Sequence, residues 1–283
     1  MISICIKSIN KSKLNILDKQ LEKLPIPHIY YSQKKFKNYY NLIIHYTGKS
    51  SAKFYDGISN IVTNYIINNL EEKIIRKQIM YEYFYFNTSE RELIISSAIE
   101  KLQTPFYSHE KNFILKEACD DYIYNNKSIY LEGFINFRIY KYRKLITTIL
   151  EEIINDYVIQ KEYAEYVDLL HEYIQIQPSQ SNIVHLIYNS NTKLLLDERG
   201  NVISNIDNSQ VYLSDISFSS NDFILNTLLT SLPKNLYIHL NTEEDNFIKF
   251  LKLIFNGRYS ICTQCKICSN YFSVNSSKLH RQQ

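Results

Sequence analysis

The chain has 283 residues, 45% of them hydrophobic and 22% charged, a balance that excludes a disordered or fibrous protein. Its net charge of +3 hides a division. Residues 1–55 hold ten lysines against Asp18 and Glu22, whereas the remainder holds 22 basic residues against 27 acidic ones.

The first segment reads as a small basic α/β lobe. Ile2, Ile4 and Ile6 alternate with polar neighbours as in a half-buried strand. An amphipathic helix is predicted around Ile16–Leu24, stopped by Pro25 and Pro27, with strands at Ile29–Tyr31 and Tyr39–Tyr46. From Ala52 the apolar residues Ile58, Val62, Tyr65, Ile66, Leu70, Ile74 and Ile75 recur at helical spacing. The run 81–86 reads as an aromatic connector. Ser89 with Glu92 is expected to cap a helix through Leu102, which Pro105 closes, and another helix is predicted over 108–126. The longest pattern follows Gly133 and runs to Pro178, as one helix or as two joined near 158–161.

Beyond Pro178 the period returns to two. Val184–Tyr188 is a predicted strand, and Lys193–Leu196 and Val202–Ser204 flank Asp197-Glu-Arg-Gly200-Asn201 as a hairpin. A helix at 220–231, a strand at Leu236–Leu240 and a helix at 243–256 opened by Asn241 or Thr242 follow. Tyr259–Ile261 then leads into a cysteine run. The fold class is α+β: a basic lobe over 1–50, a helical region over 51–178, and a C-terminal α/β module over 179–283.

The cysteine run, Cys262-Thr-Gln-Cys265-Lys-Ile-Cys268, is where the chain hints at chemistry. Two intervening residues let neighbouring thiolates converge on one centre, as in zinc and iron–sulfur sites. His280 is the expected fourth zinc ligand. A ferredoxin-type cluster asks for another cysteine three residues after the third, where Phe272 stands, so zinc is favoured over iron. An odd cysteine count, with three clustered, does not resemble a secreted disulfide framework. The N-terminal residues lack the basic lead and apolar stretch of a signal peptide, and no apolar run reaches the roughly 18 residues of a membrane span. A cytoplasmic setting is therefore expected.

No catalytic residue is assigned. His171 and His185 lack partners at a recognisable spacing, and Glu162 and Glu165 lack a matching acid–histidine helix. Arg138 is read as stacking on Phe134 or Phe137 and pairing with Glu132 or Glu162. Asp197 and Glu198 belong to the turn.

Several segments carry a resemblance. They are Leu131-Glu-Gly133-Phe134-Ile-Asn-Phe137-Arg138, Gln160-Lys161-Glu162-Tyr163-Ala-Glu165-Tyr166-Val-Asp-Leu169-Leu170, Gln177, Val184-His185, Leu195-Leu196-Asp197-Glu198-Arg-Gly200, and Gly257-Arg258 leading to the cysteines. In order and spacing the chain resembles the YtxC-like sporulation proteins of endospore-forming bacteria. The resemblance implies a role associated with sporulation and supplies no biochemical activity, cofactor or catalytic residue. The expected function is binding of a protein partner, with a metal-stabilised C-terminal end. The alternative is a metal- or thiol-dependent enzyme centred on the three cysteines. Nucleic acid is not an expected partner, because no recognised binding motif accompanies the basic lobe.

Overall fold

The computed structural model describes residues 1–189, 192–205, 212–213, 216–217, 219–241, 243–262 and 264–272. It is an α+β protein in which long helices accompany two small mixed sheets. The chain separates into two compact units, Met1–Val158 and Ile159–Gln283.

The first unit begins with β1 (Ile2–Ser8), α1 (Lys11–Leu21), β2 (Ile29–Phe36) and β3 (Tyr39–Tyr46). It continues through α2 (Ser51–Glu82), α3 (Thr88–Gln103), α4 (Pro105–Asn126), β4 (Ser128–Tyr130) and α5 (Leu131–Phe137) into α6 (Tyr140–Ile176). Its sheet has the order β2-β3-β1-β4, antiparallel except for the β1–β4 pair. Ile4, Ile6, Leu42, Ile44 and Ile129 on one face join Leu14, Leu17 and Leu21 of α1 and Phe54, Ile58 and Val62 of α2 in a continuous core. Tyr142, Ile146, Ile149 and Leu150 of α6 complete it. Within it lies a buried ion pair: Lys111 donates to both Glu71 oxygens at 2.8 and 3.0 Å, and the Tyr142 hydroxyl donates to Oε2 at 2.6 Å.

Several boundaries differ from the sequence expectation. Helix α1 begins at Lys11, because the Asn10 side chain accepts the Ser12 amide, and ends before Pro25 is reached. The capping box of α3 sits two residues earlier than Ser89 and Glu92. Asn87 accepts the Glu90 amide and Glu90 accepts the Asn87 amide. Pro105 opens α4, where its missing N–H costs nothing. The pattern after Gly133 breaks at Arg138–Ile139, after which α6 runs unbroken to Ile176. At Gly133 a Cβ would lie 2.8 Å from the Tyr130 ring, so the glycine permits close packing.

The second unit takes the end of α6 and adds β5 (Ser181–Tyr188), β6 (Lys193–Leu196), β7 (Val202–Asn205), β8 (Tyr212–Leu213) and β9 (Ile216–Ser217). Then come α7 (Ser220–Ser231), β10 (Pro233–Leu240), α8 (Asn246–Ile254), β11 (Tyr259–Cys262) and α9 (Lys266–Phe272). The main sheet has the order β11-β10-β5-β6-β7, with β10 parallel to both β11 and β5. Val184, Leu186, Leu236 and Ile238 face α7 and α8 through Ile224, Leu228, Ile248 and Leu251. Ile187, Leu194 and Leu196 point to the other side, where Ile267, Tyr271 and Phe272 of α9 cover them. The β6–β7 turn closes as expected: Asp197 accepts the amides of Arg199 and Asn201, and Gly200 takes φ +82°. Helix α8 is capped by Asp245, which accepts the Ile248 amide at 2.9 Å, rather than by Asn241; Thr242 lies outside the described residues.

Candidate metal centre

Along β10, Leu236 and Ile238 face the helices, so Tyr237 and His239 face α9. Helix α8 returns the chain to lay β11 parallel beside β10, and this register sets Cys262 directly across from His239. The chain then turns into α9. The Cys265 sulfur accepts the Cys268 amide at 3.4 Å, as a capping side chain does at a helix start. The turn brings Cys268 back over the strand ends.

Four donors converge as a result. Cys268 Sγ lies 3.7 Å from both Cys262 Sγ and Cys265 Sγ. His239 Nδ1 lies 3.2 Å from Cys268 Sγ and 3.6 Å from Cys265 Sγ. All four donor atoms fall within 4.8 Å of one another. Zinc–sulfur bonds of about 2.3 Å and zinc–nitrogen bonds of about 2.0 Å at tetrahedral angles give donor separations of roughly 3.5–3.8 Å. Three of the separations match that spacing, the His239–Cys268 one is shorter, and the full set spans up to 4.8 Å. The ligands of an iron–sulfur cluster sit on different irons and must stand further apart, so a single ion fits better.

His239 is 2% exposed, and its outward nitrogen, Nε2, lies 3.1 Å from His185 Nδ1. With an ion on Nδ1, Nε2 would carry the proton and donate it to His185 Nδ1. His185 is itself stacked on Tyr237, with ring centres 5.4 Å apart. Burial, helped by His185, pushes the His239 imidazole down to about 4, so it stays in its neutral, ligating form at pH 7. Burial pushes the Cys262 thiol up to about 12. Cys265 goes the other way: burial opposes ionisation, but the Cys268 amide and the adjacent thiols outweigh it.

The amino-acid pattern identifies the three cysteines but not His239. Its signal was available in the strand–helix–strand order, which places consecutive parallel strands side by side with their ends together. His280, the expected ligand, lies outside the described residues.

A model of the YtxC-like family matches residues 56–260. The chain belongs to the YtxC-like family. No curated protein and no solved structure matches it. The family match includes His185 and His239, ends two residues before Cys262, and leaves residues 1–55 outside.

The other candidates in the YtxC-like region have structural roles. Arg138 lies over the Tyr122 ring at 5.6 Å rather than against Phe134 or Phe137. Glu132 pairs with Lys13 at 3.1 Å and accepts from Ser8 at 2.6 Å, so it is not the partner of Arg138. His171 Nδ1 bonds the Ile254 carbonyl at 3.0 Å. Glu165 lies 3.9 Å from Lys161. Among the described residues, no helix is long and apolar enough to cross a membrane.

Proposed function

We propose that the chain is a sporulation-associated cytoplasmic protein that acts by binding a protein partner. In this reading His239, Cys262, Cys265 and Cys268 hold one zinc ion that fastens α9 to the second sheet. Family membership supports the setting. The observation that carries the zinc reading is the convergence of one nitrogen and three sulfurs within 4.8 Å of one another. Four protein donors leave no open position for substrate, which favours a structural ion over a catalytic one.

Elemental analysis of anaerobically purified protein is expected to find one zinc per chain. Cys265→Ser and His239→Ala lose it, and His280→Ala keeps it. Wild-type protein without stoichiometric metal rejects the reading. For the partner, capture from sporulating cells with wild type and a triple Cys→Ser variant is expected to lose one protein in the variant alone. The rival reading, a thiol-dependent enzyme, draws on the lowered Cys265 thiol. It predicts rapid alkylation of Cys265 in zinc-loaded protein, whereas a closed zinc site predicts protection until a chelator is added.

A further inference from the structure

The N-terminal sheet has a second face that the core does not use. By register, Tyr30, Ser32, Lys34 and Phe36 of β2 stand across from His45, Ile43, Asn41 and Tyr39 of β3. His45, Ile43 and Asn41 are met from the other side by Ser3, Cys5 and Lys7 of β1, and Lys7 stands across from Tyr130 of β4. Side chains alternate along a strand, so all of these residues lie opposite the buried Ile4, Ile6, Leu42 and Ile44.

This face has three properties that seldom coincide. Two of its aromatic rings are open, Phe36 at 70% and Tyr30 at 62% exposed, and two are partly covered: Tyr39 and Tyr130 meet edge to face at 5.4 Å, and Gly133 packs against Tyr130. Its cations stand in line, Lys34 and Lys7 flanking Asn41 on neighbouring strands. None of the paired residues on this side of the four strands is Asp or Glu; the nearby Glu132, beside Tyr130, is held by Ser8 and Lys13. The only acids of residues 1–55, Asp18 and Glu22, belong to α1 and its C-terminal cap, on the helix that covers the opposite face. Exposed aromatic rings beside cations suit an interaction site, and paired strand residues that carry lysines but no acids favour a polyanion. Flat rings beside a line of cations suit bases joined by phosphates.

We propose that this face binds a single-stranded nucleic acid, with bases stacked on Tyr30, Phe36, Tyr39 and Tyr130 and phosphates met by Lys7 and Lys34. No linear motif announces such a platform, because its residues come from four strands spread over residues 3–130. The site lies in the first unit and stands independently of the zinc reading.

The test is fluorescence anisotropy of the full chain with labelled oligouridine and oligothymidine of about 20 nucleotides at low salt. Binding is expected, weakening steeply as salt rises. Tyr30→Ala and Phe36→Ala each weaken it about tenfold or more, Phe36→Tyr preserves it, and Lys34→Ala lowers the salt slope by about one. The substituted rings are exposed, and circular dichroism checks that the variants remain folded. Failure of both strands to bind at low salt overturns the proposal. So does binding that is unaffected by ring truncation, equally tight to duplex, or displaced equally well by polyglutamate.

Discussion

The two main sheets solve the same problem differently. Each buries one face under helices, and they part on what happens to the other. In the first unit that face stays open, and the unit is held by a core running from β1 to α6 around the Glu71–Lys111 pair. In the second unit the other face is covered by α9, a helix of seven residues with a small apolar contact set. A helix that short has little stability of its own in water. Its position therefore leans on the donors at its start: both units are held by burial on one sheet face, and only the second has a short helix on the other face that the proposed ion would fasten.

Removing the cross-link should give the largest effect, confined to the second unit. Zinc chelation, or Cys265→Ser, is expected to cost about 4 kcal/mol or more at free zinc a thousandfold above Kd. Calorimetry would register this as a lowered transition, and hydrogen exchange would locate it in α9 and β11. Equal loss of protection in the first unit would contradict the division.

The converse experiment targets the buried pair. Glu71→Gln leaves Lys111 charged and unpaired in the core, and chemical denaturation should show a loss of about 3 kcal/mol from the first unit. Replacing all three groups with apolar ones, Glu71→Leu with Lys111→Met and Tyr142→Phe, should recover most of it. Zinc content stays unchanged in either case.

A smaller effect is expected from His185, which lies behind His239. His185→Ala removes the acceptor for the His239 Nε2 proton, and zinc affinity should fall about 10- to 100-fold in competition with a chromophoric chelator. His185→Gln, which can still accept, should lie between this variant and wild type. Affinity unchanged in His185→Ala would mean that the strand alone orients His239.

The smallest effect belongs to pH and the first unit. Burial raises the Glu132 carboxyl, but bonds from Ser8 and Lys13 outweigh it and hold the group below its ordinary value of 4.5. A carboxyl depressed in the folded state contributes stability above 4.5 that is lost as pH falls through its folded value. Glu132→Gln should therefore lower stability by about 1 kcal/mol at pH 7 and flatten the acid limb of the stability curve.

Much of this was legible in advance where the determining contacts are local. The apolar spacing of Ile58–Ile75 and Ile146–Ile154 identified long helices, and the alternation at Ile2–Ile6 and Val184–Tyr188 identified strands. Helix starts were less legible. Asn10, Asn87 and Asp245 cap where other polar residues stood within a few positions, and only backbone geometry chooses among them. Strand β4 was missed, since three residues between two helices carry no period of their own.

For the candidate site, the sequence by itself determined the three cysteines, because a two-residue spacing acts within one turn of chain. Tertiary structure alone supplied His239, 23 residues before Cys262, through the parallel pairing of β10 with β11. It also decided which tyrosines fill the core and which stand on the open sheet. Tyr46 and Tyr130 both end strands of the same sheet, yet one is buried against Phe54 and the other remains 36% exposed. Residue type sets what a side chain can do, and its face of the sheet is fixed by pairing between strands distant in sequence.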